Sequence, residues 1–244
     1  MLENIFFILV GSLAGFIDSI AGGGGLITLP VLTHALSDYT LAIGTNKIPG
    51  SFAAGLAFLL YSRKTSFPKK EAYSFGAAVA LGSFAGSSLN PYVPKSVFPW
   101  LLTISCPVIL GLVWSRKLWI TTTAKRSHLG LCILSGVACG LYDGMWGPGG
   151  GTFMLLALLV FVKLPLMQAI LVSKFVNTLS ATTAFTQYAR LDKINYWVGL
   201  MVGSGMFVGV ALGQRLAHKH AEKIVKPMLT FVVLLLLISI WMKN

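Results

Sequence analysis

Two lone aspartates in apolar sequence, Asp18 and Asp143, each stand ahead of a run of glycines, and a lone lysine follows each run. The runs are Gly22-Gly23-Gly24-Gly25 and Gly147-Pro148-Gly149-Gly150-Gly151, separated from their aspartates by three residues. The lysines are Lys47 and Lys174. Consecutive glycines let a backbone turn where other residues resist and let a ligand come close. A helix that restarts after such a break offers unpaired N–H groups and a partial positive charge. That combination binds anions without any side chain. A nearby lysine adds a cation, and Thr45, Asn46, Ser173 and Asn177 add hydrogen-bonding groups on the same stretches. The substrate-binding set read from sequence is Gly22, Gly23, Gly24, Gly25, Asn46, Lys47, Gly147, Gly149, Gly150, Gly151, Lys174 and Asn177.

Each of these residues also has a plainer use. Glycines allow close helix packing, the use expected for Gly82, Gly86, Gly209 and Gly213. Lysines near a span end can snorkel to the interface. Asn, Thr and Ser more often bond between helices than to ligands. For Asp18 and Asp143 three roles stand open: holding the glycine turn, pairing with a lysine, or carrying a coupling proton or cation.

These residues sit in a chain of 244 residues that is 55% hydrophobic and 11% charged, with a mean hydropathy of +0.79. A soluble domain carries about 25% charged residues. Apolar stretches recur at about the 17–25 residues that cross a bilayer, which implies a polytopic membrane protein. A charge or broken backbone in such a stretch is costly unless it lines a protein cavity. Glu3 and the lack of a basic leader argue against a cleavable signal peptide. The net charge of +12 sits in short loops, and Trp100, Trp114, Trp119, Trp197 and Trp241 lie near segment ends. That is an interfacial pattern and not a nucleic-acid surface. Cys106, Cys132 and Cys139 read as packing residues, and His34, His128, His218 and His220 as interfacial. No spacing implies a metal or other cofactor.

The chain repeats itself. At an offset of 125, Gly11, Gly15, Asp18, Gly22, Gly24 and Gly25 match Gly136, Gly140, Asp143, Gly147, Gly149 and Gly150. Past the glycines the offset is 127, where Lys47, Tyr61 and Arg63 match Lys174, Tyr188 and Arg190. The fold expected is an all-α integral membrane protein of two homologous halves, 1–114 and 129–244, joined by a basic linker, 115–128. Each half has a glycine-broken helix or re-entrant hairpin (4–20 with 26–36, then 129–145 with 152–162). Three spans follow: 41–62, 70–90 and 96–114, then 166–189, 194–214 and 224–242. Hairpins would invert the second half and place 13 basic residues inside against 4 outside; single broken crossings would give 11 against 6. The positive-inside rule favours inverted repeats. Matched breaks in two halves point to a transporter's binding site.

The segment Gly15-Phe16-Ile17-Asp18-Ser19-Ile20-Ala21-Gly22-Gly23-Gly24-Gly25-Leu26 resembles the opening motif of the TauE/SafE permeases, also called the 4-toluene sulfonate uptake permease family. Thr45-Asn46-Lys47 fits its next element, and Gly140–Gly151 resembles the opening of its second repeat. The likeness is nearest to the YfcA-like bacterial branch and covers essentially the whole chain. The resemblance implies transport of sulfite, sulfonates or sulfoacetate across a bacterial inner membrane. The expected function is therefore secondary transport of a small anion by alternating access, with the bilayer as the other partner and no nucleic acid. A passive anion channel and an intramembrane enzyme are the alternatives. No Ser–His or Cys–His pair supports the enzyme. An apolar belt for a homodimer looks the same in sequence as one facing lipid.

Overall fold

The computed structural model describes residues 2–94, 97–114 and 129–241. The linker 115–128, with Trp119 and His128, and Lys95 and Lys243 lie outside the described residues, as do the side chains of Cys106, His218 and Trp241. The elements are helical, with no strand among the described residues. They are α1 (Leu2–Ala21), α2 (Gly24–Leu36), α3 (Tyr39–Ser62), α4 (Lys69–Leu89), α5 (Val97–Trp114), α6 (Leu129–Met145), α7 (Gly150–Val160), α8 (Leu166–Arg190) and α9 (Tyr196–Trp241). A 3-10 turn covers Asn90–Tyr92. Two spans were expected over the range of α9, 194–214 and 224–242, and α9 is two helical stretches that meet at a kink. It leaves helical geometry at His220 (φ −138°, ψ 26°), where the sequence between 214 and 224 holds good helix formers and no glycine.

The glycine breaks reverse the chain. Gly22 and Gly23 have φ of 76° and 95°, and Gly147 and Gly149 have 89° and 73°, values that other residues rarely adopt. Helix directions follow from the neighbours. Gly205, Gly209 and Gly213 of α9 press in turn on Ile8, Ser12 and Phe16 of α1, so the two run parallel. Gly199 and Gly203 meet Thr45 and Pro49, so α3 runs the same way. Since α1 and α3 are parallel, α2 between them must return. In the same manner α6, α4 and α8 are parallel and α7 returns: Gly140 meets Val79, Gly144 meets Ser83, and Gly76 meets Val176. Helices α3 and α8 are antiparallel, with Gly44 beside Tyr188 and Gly55 beside Thr178.

The same contacts recur with the halves exchanged. Helix α1 lies on α9 as α6 lies on α4, and both seams are glycine lines. A Cβ on Gly140 would strike the Val79 carbonyl, and one on Gly209 the Ser12 carbonyl. Tyr61 and Tyr188, both fully buried, donate to the Ser19 and Gly144 carbonyls at 2.9 Å each. These straps satisfy last-turn carbonyls that a helix leaves open. The outer surface is apolar: Leu13, Leu81, Phe84, Leu134, Trp100 and Phe207 are among its exposed side chains. Two stretches, Leu2–Ile20 and Tyr196–Ala217, are long and apolar enough to cross a membrane. Helices α3 and α8 are long as well, but they carry the buried polar residues of the interior.

One ion pair ties the start of α3 to the loop between α8 and α9. Asp38 caps α3 by accepting from the Thr40 N–H (2.8 Å) and meets Lys193 at 3.1 Å. Burial pushes the Asp38 carboxyl up, but donation from Lys193, Leu41 and Thr40 outweighs it and holds the group below its usual range. Both side chains are a third or more exposed, so solvent screens the pair.

Two predictions follow from packing and capping. Gly140→Leu should destabilise the detergent-solubilised protein by about 2 kcal/mol or more through overpacking. Gly111→Leu, on α5 where nothing lies within 4 Å, should have little effect in the same thermal melt. Asp38→Ala should cost about 1 kcal/mol at neutral pH. Because the folded pKa is depressed, that advantage is complete above the unfolded value of about 3.9 and is lost as pH falls through the folded one. A wild-type advantage that survives at strongly acid pH would exclude the carboxylate charge as its source.

Candidate functional site

Each aspartate lies in the last turn of a hairpin's first helix, and each lysine in the first half of a long inner helix. The fold pairs them across the halves. Lys47 of α3 donates to the backbone carbonyl of Asp143 and to its Oδ2 at 3.2 Å. Lys174 of α8 donates to the carbonyl of Asp18 and to its Oδ2 at 3.1 Å. The lysines are 3% and 2% exposed, so neither snorkels to an interface. Of the three roles open to the aspartates, pairing with a lysine is met by both, and Asp18 holds its glycine turn as well. Asp18 Oδ1 also accepts the Gly24 N–H at 3.0 Å, holding the first turn of α2.

The glycine runs are as tight as the pairing requires. A Cβ on Gly24 would crowd the Asp18 side chain, and one on Gly150 would collide with Asp143 Oδ1. Gly22 packs on the backbone of Gly151 and Thr152, so the two tips touch. Helices α2 and α7 thus begin at a common centre. The Gly24 amide bonds Asp18 and the Gly150 amide bonds the Gly147 carbonyl. The amides of Gly25 and Gly151 have no protein acceptor among the described residues.

Between the tips lies a cavity of about 30 Å³. It is bounded by Asp18, Gly23, Gly25, Asn46, Lys47, Asp143, Gly147, Gly149, Gly150, Gly151 and Asn177 from the set read in sequence, with Gly50, Ala181 and Met206. That is room for about two water-sized groups. Gly22, Gly24 and Lys174 stand behind its wall. The two amide side chains face it in matching positions. Asn46 Nδ2 lies 3.3 Å from where a Gly25 Cβ would be, and Asn177 Nδ2 lies 3.3 Å from the same point on Gly151. Asn46 Oδ1 accepts from Thr28 (2.6 Å), which orients its amide. Asn177, 9% exposed, makes no hydrogen bond to protein among the described residues.

Thr45 and Ser173 have the plainer, structural use and do not line the cavity. Thr45 accepts from the Asn195 N–H, and Ser173 bonds the Ile170 carbonyl of its own helix. Lys174 makes the same two bonds to Asp18 that Lys47 makes to Asp143, but it does not line the cavity. Besides Ala181 and Met206, two polar or spacing contributors were missed. Ser180 donates to Asp143 Oδ2 at 2.6 Å, and Gly50 leaves space opposite Asn177. Asn177 and Gly50 occupy equivalent positions at the 127 offset, so comparing the halves would have exposed Gly50. Ser180 matches Ala53 and left no such signal. Among the described residues no cluster of His, Cys, Asp and Glu could hold a metal.

Removing one partner of a buried pair leaves the other charge uncompensated, at a cost of about 3–5 kcal/mol. Lys47→Met alone should therefore melt well below wild type, and adding Asp143→Leu should recover most of the loss. Equal and additive losses in that cycle would mean the two side chains do not interact.

The family model described as sulfite exporter TauE/SafE matches residues 7–242. Over 242 residues the chain is 32% identical to the probable membrane transporter protein ORF9 of Sinorhizobium sp, covering 96% of this chain and 91% of that one. It is 31% identical over 235 residues to the probable membrane transporter protein YfcA of Escherichia coli (strain K12), covering 95% and 86%. The probable membrane transporter protein YunE of Bacillus subtilis (strain 168) is 24% identical over 266 residues, covering 95% of each chain. No solved structure matches the chain. The glycine hairpins, the lysines that answer them and the apolar exterior thus belong to a membrane protein, and the chain is a member of the TauE/SafE sulfite exporter family of membrane transporters.

Proposed function

We propose that this protein is a multi-pass secondary transporter of the bacterial inner membrane that moves a small sulfur-containing oxyanion by alternating access. One observation carries the reading: two helix N-termini, α2 and α7, open on one cavity whose free side-chain amides are Asn46 and Asn177. The lysines and aspartates around it cancel in charge. The attraction for an anion then comes from the helix N-termini, the amides of Gly25 and Gly151, and the Lys47 N–H that Asp143 does not use. Donors fixed by the fold suit an oxyanion that offers several acceptor oxygens.

The halves act as inverted repeats. Helices α3 and α8 occupy equivalent places in the two halves and run antiparallel, as an axis in the membrane plane requires. Inverted halves are also the arrangement that the charge pattern of the sequence favours, 13 basic residues against 4 by the positive-inside rule. The closed cavity is too small for a bulky organic sulfonate, so such a substrate would enter only when the halves part. Both Lys–Asp pairs span the halves and are the contacts that rocking would load. The reading requires no chemical change in the substrate, in keeping with relatives named as transporters.

Sulfite, sulfate, thiosulfate and methanesulfonate should be tested for thermal stabilisation of the purified protein. One anion at about 100 times its Kd should stabilise by about 2.7 kcal/mol. Asn177→Ala should weaken that anion roughly tenfold, the loss of one charge-assisted hydrogen bond. No stabilisation by any of them would remove the anion site. In proteoliposomes, flux that never saturates would favour a channel.

A further inference from the structure

The two aspartates are equivalent in sequence but not in their surroundings. Both oxygens of Asp18 are held, Oδ1 by the Gly24 N–H and Oδ2 by Lys174. Asp143 has both its donors, Lys47 and Ser180, on Oδ2. Its Oδ1 takes no hydrogen bond among the described residues and lies against Gly150 at the cavity edge. The cause is a difference between the hairpins. Asp18 reaches the first amide of α2 six residues on. The second tip holds Pro148, which has no N–H, and α7 begins seven residues after Asp143. The first amide of α7 is turned instead to the Gly147 carbonyl.

We infer that Asp143 is a proton-binding site that couples proton uptake to anion binding, whereas Asp18 is a fixed structural charge. The inference rests on the anion site proposed above. Lys47 has three N–H donors, of which Asp143 takes two through its carbonyl and its Oδ2. An anion in the cavity competes for the same ammonium. As Lys47 turns to the anion, Asp143 loses its counter-charge and faces a second negative charge nearby. Both changes favour the neutral carboxyl. Oδ1 is the oxygen free to receive a proton from solvent, while Ser180 keeps its hydrogen bond to Oδ2. Lys47 stays an ammonium throughout, so one anion and one proton occupy the site together.

The other titratable groups around Asp143 do not substitute for it. Helix α1 contributes Asp18, whose oxygens are both engaged. Helix α8 contributes Lys174, paired with Asp18, and Tyr188, whose hydroxyl is bonded to the Gly144 and Met145 carbonyls. Cys139 lies one turn back on α6 itself. Helices α4 and α7 present Ser83 and glycines.

The test is calorimetric titration of the purified full chain with sulfate and with thiosulfate, neither of which titrates near neutral pH, in buffers of different ionisation enthalpy. Wild type should take up about one proton per anion, with affinity rising up to tenfold per unit fall in pH across the coupling range. Asp143→Asn should bind with no proton uptake. Ser180→Ala, which removes one donor to the carboxylate without stranding a charge, should move the range of uptake to higher pH. Anion binding without proton uptake in wild type, or undiminished uptake in Asp143→Asn, would overturn the inference and leave the anion site intact. An unmoved range in Ser180→Ala would likewise exclude Asp143 as the carrier. Failure of both anions to bind at all would overturn the anion site and this inference together.

Discussion

A lysine ammonium buried inside a helical bundle must be given a counter-charge, and in this protein each half supplies it for the other. The bare cost of burying such an ion is several kcal/mol even after relaxation. That constraint propagates outward. The aspartate that answers each lysine must lie at the inner end of a helix, because it also offers its last-turn carbonyl to the same ammonium. The chain must then leave that end without crowding the carboxylate, which admits only glycine at positions 24 and 150. The returning helix starts against the aspartate, so its N-terminus points at the centre. Tyr61 and Tyr188 then hold the same last turns from behind.

The arrangement separates stability from recognition. With Lys47 and Lys174 each answered by a carboxylate, the centre carries no net side-chain charge. What is left over is directional: N–H groups at two helix starts and two side-chain amides. Helix termini of this kind attract an anion without a buried free cation in the empty protein, which would be far more costly to keep. The long inner helices are free to carry these polar residues because α1, α4, α6 and α9 shield them with glycine-lined seams and an apolar outer face.

The halves are nevertheless not copies at the centre. Asn46 matches Ser173, Gly50 matches Asn177, and Ala53 matches Ser180. Amides from positions that do not correspond thus reach corresponding places beside Gly25 and Gly151. Pro148 stands where the first hairpin has Gly23, and α7 starts one residue later than α2 by that match, with its first amide on the Gly147 carbonyl. These are the differences on which unequal roles for Asp18 and Asp143 rest.

Much of this was legible in the chain itself. Asp and Lys are rare in apolar sequence and runs of consecutive glycines rarer still, so their repetition exposed the duplication, both chain breaks and most residues of the cavity wall. Helix positions followed from hydrophobic length and from the glycines, and the resemblance to the family followed from the same motifs. Sequence could not show that Lys47 would meet Asp143 and Lys174 would meet Asp18, since within a half the lysine and aspartate are equally available to each other. Nor could it show that Ser180 turns inward to Asp143. Local chemistry set what each residue could do, because backbone freedom, charge and hydrogen-bonding capacity belong to residue type. The tertiary structure decided which partner each one has, because partnership depends on helix direction and rotation, and those are set by packing between segments far apart in the chain.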